Sequence, residues 1–167
     1  EVFPDSFYEN DFGTVGVKTE LGVIEVTPYR IEGSYSDGRR PDNVQFSLNI
    51  EDDLGRRDFT MNAVAYSPTQ EIFIDPFNGQ KDIEDRLIRA VGVAKDRFQE
   101  DGLRIMRLLR FVAQLQFGID ADTLAAAIET KDILAVISKE RIRDEFVKMI
   151  LSDNPSIGFM YAEKTGT

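Results

Sequence analysis

The stretch EDGLRIMRLLRF, at residues 100–111, places arginines at positions 104, 107 and 110 within an otherwise apolar run. From about Gln99 the apolar residues recur at the 3.6-residue spacing of a helix, which predicts that this part of the chain is helical. On such a helix the three arginines lie along one side, next to the apolar stripe, and Asp101 stacks one turn before Arg104. The second half of the chain is therefore predicted to become helical from about Gln99.

Two interpretations of the arginines remain open from the residues alone. A row of arginines on a helix is usually a solvated face whose charges form weak ion pairs. Arginines bordering an apolar stripe are instead partly desolvated and held in place. Asp101 then supplies acceptors beside the donor fork of Arg104, which together match the hydrogen-bonding edge of a base, while Arg107 and Arg110 reach phosphates.

Composition limits the chemistry that the chain can perform. Its 167 residues include neither Cys nor His, which excludes disulfides, Cys–His and Ser–His nucleophile pairs, and histidine-ligated metals. A metal would be a hard, oxygen-binding ion such as Mg²⁺. The net charge of -10 argues against nucleic acid binding over the whole surface. With neither an apolar run long enough to span a membrane nor a signal peptide, a soluble cytoplasmic protein without membrane contact is expected.

The pattern of the sequence changes near its middle. Alternating apolar residues in GTVGVKTELGVIEVTPYR predict a pair of strands, and VQFSLNI and MNAVAYSPTQEIFID predict further strands joined by turns. Beyond residue 99, Asp residues in GIDADT and Ser138 are candidate caps of further helices, the second with Ile142, Phe146 and Ile150 on one apolar face. The prediction is an α+β fold with a β-rich domain at residues 1–92 and an all-helical domain at residues 93–167.

Two further stretches carry candidate functional residues. LGRRDFTMNA, at residues 54–63, is either a loop that caps a helix or a turn in which Arg57 contacts phosphate and Asp58 a sugar hydroxyl. Glu25 is a charged residue within an apolar strand. It occupies either a solvent-facing position or a place near a metal site.

Several longer stretches, taken in order, resemble the successive motifs of class II tRNA nucleotidyltransferases, the family of the CCA-adding enzymes and the bacterial poly(A) polymerases. The stretches are RRDFTMNA, DPFNGQKDIEDRLIRAVG, RFQEDGLRIMRLLRFVAQLQF and ISKERIRDE, preceded by FGTVGV and IEVTPYRIEGSYSDGRRPDNVQF. The resemblance covers roughly residues 12 to 147 and implies a nucleotidyltransferase head of antiparallel or mixed strands followed by a helical neck.

The resemblance also implies a function. Family enzymes use Mg²⁺ to add CMP and AMP, from CTP and ATP, to the 3′ end of tRNA without a nucleic acid template. It implies that Asp101 and Arg104 pair with the base, that Arg107 and Arg110 contact the nucleotide further, and that Arg57 and Asp58 bind the nucleotide and its ribose. Glu25 matches an acidic catalytic position near the metal. The loop YSDGRRPDN, at residues 35–43, matches one that accompanies A addition.

The sequence departs from the family pattern in one respect. The family's glycine-rich turn and metal-binding DxD motif are not found in it, so the Mg²⁺ ligands are expected in a preceding segment and the chain alone is expected to be inactive. A sheet without its first strands exposes an edge, which favours a homodimer. Alternatives are a poly(A) polymerase or A-adding enzyme, a catalytically incomplete nucleotide- or RNA-binding module, and an acidic structural domain whose arginines only form ion pairs.

Overall fold

The computed structural model describes residues 5–8, 13–33 and 44–167. The strands are β1 (Ser6–Tyr8), β2 (Val15–Thr19), β3 (Gly22–Val26), β4 (Arg30–Glu32), β5 (Val44–Phe46), β6 (Ala65–Ser67), β7 (Ile72–Ile74), β8 (Leu87–Ile88) and β9 (Gly118–Ile119). The helices are α1 (Ile50–Gly55), α2 (Gly79–Glu84), α3 (Ala94–Glu100), α4 (Leu103–Leu115), α5 (Ala121–Thr130), α6 (Lys139–Ile150) and α7 (Pro155–Thr165), with 3₁₀ turns at Thr60–Asn62 and Lys131–Val136. The predicted α+β class is confirmed.

The strands of the first half form small antiparallel sheets. β1, β2 and β3 form one sheet in sequence order, β4 pairs with β5, and β6 pairs with β7. The predicted hairpin is confirmed as β2 and β3, and the predicted strand pair after residue 60 as β6 and β7. The strand predicted over VQFSLNI is shorter, because Asn49 accepts a hydrogen bond from the Glu51 amide and begins α1. The loop at residues 35–43 lies outside the described residues.

The helix predicted from about Gln99 is in fact two helices, α3 and α4. Asp101 lies between them with an extended backbone, and its Oδ1 accepts a hydrogen bond from the Leu103 amide at 3.1 Å. A short acidic side chain that binds a nearby amide competes with helical hydrogen bonding, which explains the break. Asp101 therefore precedes the arginine-bearing helix instead of stacking within it.

The main hydrophobic core joins the two halves of the chain. Phe59 and Ile88 from the first half pack in one buried cluster with Phe98, Ile105 and Leu108 from the second. β8 also pairs in parallel with β9, a short strand in the second half. The prediction that the second half is all helical is therefore not fully correct. The boundary between residues 1–92 and 93–167 stays a prediction, since a single core crosses it.

Two predictions concern the caps and faces of the later helices. Asp120 caps α5 as predicted, accepting a hydrogen bond from the Thr123 amide at 3.1 Å. Ser138 occupies the N-cap position of α6 without a side-chain hydrogen bond to it. The apolar face predicted for α6 is partly wrong, because Glu145 and Met149 are its buried residues whereas Phe146 is 38% exposed.

Within the part of the chain that the structure describes, no helix combines the length and apolar character needed to cross a bilayer.

Candidate functional site

A cleft of about 470 Å³ opens between the segment after α1 and the helices α4 and α6. Half of the residues that line it were predicted from the sequence as nucleotide-binding: Arg57, Asp58, Asp101, Arg104 and Arg107. The others are Arg56, Asn62, Leu103, Phe111 and Arg141. The fold thus brings polar residues from two separate stretches of the chain, 57–58 and 101–107, to one cavity. The cavity is rich in arginine although the net charge of the chain is -10.

The end of α1 presents two arginines at one wall of this cleft. Asp53 is buried and its carboxylate accepts hydrogen bonds from Arg56, at 2.7 and 2.9 Å, and from Arg57 at 3.2 Å. Arg57 also donates to the Asn62 carbonyl at 2.9 Å, yet its side chain stays 43% exposed. Arg57 is therefore held through both terminal nitrogens of its guanidinium group, while its remaining N–H donors and its exposure leave room for a ligand.

Asp58 is buried and bridges the two halves of the chain. Its Oδ1 accepts hydrogen bonds from the Phe59 amide and the Asn62 side chain, at 2.9 and 3.0 Å. Its Oδ2 accepts a hydrogen bond from Nε of Arg107 at 2.7 Å, and Nη2 of the same guanidinium group lies 2.6 Å from this oxygen in an ion pair. Oδ1 thus carries two hydrogen bonds and Oδ2 is engaged by Arg107. A contact between Asp58 and a ribose hydroxyl therefore has to share Oδ2 with Arg107.

Arg104 is 8% exposed and is fixed by three acceptors. It donates to the Arg97 carbonyl at 2.8 Å, to Glu100 at 2.6 Å and to the Arg56 carbonyl at 2.9 Å. A guanidinium group carries five N–H donors. Two donors of Arg104 thus remain without an acceptor in the described residues, beside the cleft.

Asp101 precedes α4, lines the same cleft as Arg104 and is held by α6. Arg141 donates to both of its carboxylate oxygens, at 3.2 Å to Oδ1 and 2.8 Å to Oδ2. With the Leu103 amide on Oδ1, one acceptor position is left on Oδ2. Sequence analysis missed Arg141, although it lies in the quoted ISKERIRDE stretch, because nothing local links it to a partner 40 residues away.

Two predicted site residues lie outside the cleft. Arg110 is buried, lies over the Phe111 ring at 3.9 Å, and donates to Glu145 at 2.5 Å and Gln114 at 2.7 Å. Glu25 is exposed on β3, opposite Gly16 of β2. The structure does not bring either residue together with the other five.

The contact between Arg110 and Glu145 is also an electrostatic one. Burial acts to raise the pKa of Glu145, but hydrogen bonds from Lys148 and Arg110, with their positive charges, outweigh it and hold that pKa below its ordinary value. Glu145 is therefore ionised at neutral pH, and Arg110 is occupied in holding α4 against α6.

The described residues do not fit a metal site. None of their Asp and Glu side chains form a group of three or more that could hold an ion. The carboxylates that line the cleft, Asp58 and Asp101, are each bound to an arginine. In this arrangement, the carboxylates of the cleft therefore serve as partners of arginines and do not form a metal site.

Comparison with protein families identifies the chain. A family model described as the poly A polymerase head domain matches residues 2–89, more than half of the chain. A second, described as the probable RNA and SrmB-binding site of polymerase A, matches residues 116–167. The chain belongs to the poly(A) polymerase head-domain family.

Similar proteins carry a more specific name. The CCA-adding enzyme of Lactobacillus johnsonii is 48% identical over 92% of this chain and 38% of its own length. That of Enterococcus faecalis is 51% identical over 86% of this chain and 35% of its own length. The structure of the Bacillus stearothermophilus CCA-adding enzyme in complex with CTP matches 99% of this chain and 40% of its own, with 37% identity and a TM-score of 0.87. The chain thus spans about two fifths of the length of these relatives.

Proposed function

We propose that this chain is the nucleotide-selecting part of a CCA-adding tRNA nucleotidyltransferase, which adds CMP and AMP from CTP and ATP to the 3′ end of tRNA in the cytoplasm. The observation that carries the proposal is the cleft in which Asp101, Arg104 and Arg107 of the neck meet Arg57 and Asp58 of the head. The names of the relatives, one of them a structure with CTP, support the same conclusion.

The free hydrogen-bonding groups of the cleft suit cytosine and adenine. Each of these bases presents an amino donor beside a ring-nitrogen acceptor on its pairing edge. Asp101 retains an acceptor position on Oδ2, and Arg104 retains two donors. Uracil and guanine carry a carbonyl oxygen at the position where cytosine and adenine carry their amino group. This oxygen would face the Asp101 carboxylate and be repelled by it.

The arginines of the cleft suit the triphosphate. Arg57 and Arg107 are the more exposed of the predicted arginines, at 43% and 34% of their side chains. Arg57 is held through Nη1 and Nη2, and Arg107 through Nε and Nη2, and each keeps N–H donors that these contacts do not use. Prepositioned guanidinium groups bind phosphate oxygens in pairs at little entropic cost.

The transfer step itself joins the α-phosphate of the nucleotide to the tRNA 3′ hydroxyl and releases pyrophosphate. Mg²⁺ would supply charge neutralisation for that step in the full enzyme. The described residues contribute selection and orientation of the nucleotide, and the metal ligands are expected elsewhere. We also propose that the chain forms a homodimer through an exposed edge of its sheet.

A poly(A) polymerase or A-adding enzyme is the second candidate, favoured by the description of the family model that matches residues 2–89. The two candidates differ in nucleotide use. A CCA-adding chain has to accept both CTP and ATP, whereas a poly(A) polymerase has to accept ATP and reject CTP.

Calorimetric titration of the folded chain with CTP, ATP, UTP and GTP, each with Mg²⁺, tests the proposal. We expect CTP and ATP to bind at least about tenfold more tightly than UTP and GTP, the discrimination that one paired base edge provides. Binding of ATP alone would support the second candidate. Absence of binding by a chain whose circular dichroism shows it to be folded would contradict both.

A further inference from the structure

An aromatic residue, Phe111 of α4, lines the cleft, and the function proposed above assigns it no role. It lies four positions after Arg107 and therefore on the same side of the helix. Cζ of the Arg107 guanidinium group lies over the ring, 5.5 Å from its centre. A guanidinium group within about 6 Å of an aromatic ring centre is attracted by the negative face of the ring. Arg107 therefore has two anchors, the carboxylate of Asp58 and the ring of Phe111.

We propose that Phe111 is a positioning residue for triphosphate binding, which acts by holding the Arg107 guanidinium group at the cleft without using its N–H donors. The inference rests on the proposed function, since it assigns a partner to an arginine that is expected to bind phosphate. Phe111 is not among the site residues that the sequence predicted.

The two anchors differ in what they take from Arg107. Asp58 engages Nε and Nη2, whose N–H groups a phosphate could otherwise use. The contact with the ring depends on the charge of the guanidinium group and uses none of its N–H donors. A ribose hydroxyl that binds Asp58 has to share Oδ2 with Arg107, which weakens the first anchor. The ring of Phe111 then still holds the guanidinium group beside the cleft.

The Phe111 ring is itself held by two further contacts. Phe59, a fully buried core residue, meets it edge-to-face with the ring centres 5.8 Å apart. Cζ of Arg110 lies 3.9 Å from the ring centre. A ring that is already ordered can bind Arg107 without a further loss of conformational entropy of its own. Phe59 is also the neighbour of Asp58, so both anchors of Arg107 contact the same segment of the head.

Replacing the ring by an aliphatic side chain is expected to weaken the binding of every nucleotide that carries a triphosphate. In Phe111→Leu we expect the affinities for CTP and ATP to fall by the same factor, about twofold to fivefold, the range of a partly exposed cation–π contact. Phe111→Tyr keeps the aromatic ring, so it should keep both affinities near those of the unmodified chain.

The matched control is Phe146→Leu on α6. Phe146 also meets another phenylalanine edge-to-face, Phe159, with the ring centres 5.9 Å apart, and it does not line the cleft. The same substitution at this position should leave the affinities for CTP and ATP unchanged. Phe111→Met, which also lacks an aromatic ring, takes the place of Phe111→Leu if the leucine variant does not fold.

The experiment is calorimetric titration of the chain and these variants with CTP and ATP, each with Mg²⁺, together with a cycle that combines Phe111→Leu with Arg107→Gln. If Phe111 acts through Arg107, the leucine substitution should not lower the affinities further in the Arg107→Gln background.

Unchanged affinities in folded Phe111→Leu would overturn the inference. A fall that differs between CTP and ATP would overturn it too, because that result indicates direct stacking of the base on the ring. A fall of the same size in the Arg107→Gln background would show that the ring acts without Arg107, which also contradicts the inference. Failure of the unmodified chain to bind either nucleotide would refute the proposed function itself, and is recognised before any variant is compared.

Discussion

At the scale of single residues, each arginine of α4 pairs with a carboxylate, and the three carboxylates come from three different segments of the chain. The pairs are Arg104 with Glu100, Arg107 with Asp58, and Arg110 with Glu145. The interpretation as ion pairs and the interpretation as a nucleotide site are therefore not exclusive. Of the three arginines, Arg107 has the most exposed side chain, which leaves donors for a ligand while Asp58 anchors it.

The contact between Arg107 and Asp58 predicts a stability effect. Arg107→Ala would leave the carboxylate of Asp58, which is 7% exposed, without its charged partner. Because an unpaired buried charge is costly, we expect the free energy of unfolding to fall by about 1–3 kcal/mol. Arg143→Ala breaks an exposed pair and should change it by less than about 0.5 kcal/mol. Urea denaturation of both variants measures the difference, and equal effects would show that the Asp58 contact adds no stability.

At the scale of elements, α6 holds α4 at two points. Arg141 contacts Asp101 just before α4 begins, and Glu145, one turn later on α6, contacts Arg110 on the third turn of α4. These contacts explain why Glu145 is buried on a face where the sequence pattern favoured Phe146. They also explain why Arg110 faces α6 and not the cleft.

The lowered pKa of Glu145 predicts how this contact depends on pH. A carboxyl group whose pKa is lowered by folding stabilises the fold above its ordinary pKa, and that contribution is lost as pH falls through the lowered value. At neutral pH, Glu145→Gln should reduce the free energy of unfolding by about 1–3 kcal/mol. The difference from the unmodified chain should narrow as the pH approaches the range in which Glu145 itself becomes protonated. Urea denaturation across this pH range tests it, and a pH-independent difference would exclude the ionic contribution.

At the scale of the whole molecule, the head and the neck share structure. Within the head, the Thr60 amide donates to the Arg89 carbonyl at 2.9 Å, and the Val91 amide to the Asp58 carbonyl at 3.1 Å. Phe59, next to Asp58, packs in the same buried cluster as Leu108 and Val112 of α4. This core fixes the wall of the cleft that comes from the head to the wall that comes from the neck.

A shared core predicts cooperative unfolding across the expected domain boundary. The amides of Thr60 and Val91 should exchange with solvent at an opening free energy close to that of Val112 in α4. The hairpin of β2 and β3 has many exposed side chains, so its amides should open at a lower free energy. Native-state hydrogen exchange measures these values. An opening free energy for the Val91 amide well below that of the Val112 amide would show that residues 1–92 unfold as a separate unit.

The sequence by itself determined the features that depend on neighbouring residues. Alternation gave the β2–β3 hairpin, helical spacing gave the arginine-bearing helix, and Asp120 gave the cap of α5, because each is set by contacts within a few positions. Only the tertiary structure decided which charged groups meet. Nothing near Asp101 in the sequence indicates that its partner is Arg141, and nothing near Arg110 indicates that Glu145 draws it away from the cleft. Such pairs form because packing of α6 on α4 brings distant side chains within hydrogen-bonding range and leaves them too little water to remain unpaired.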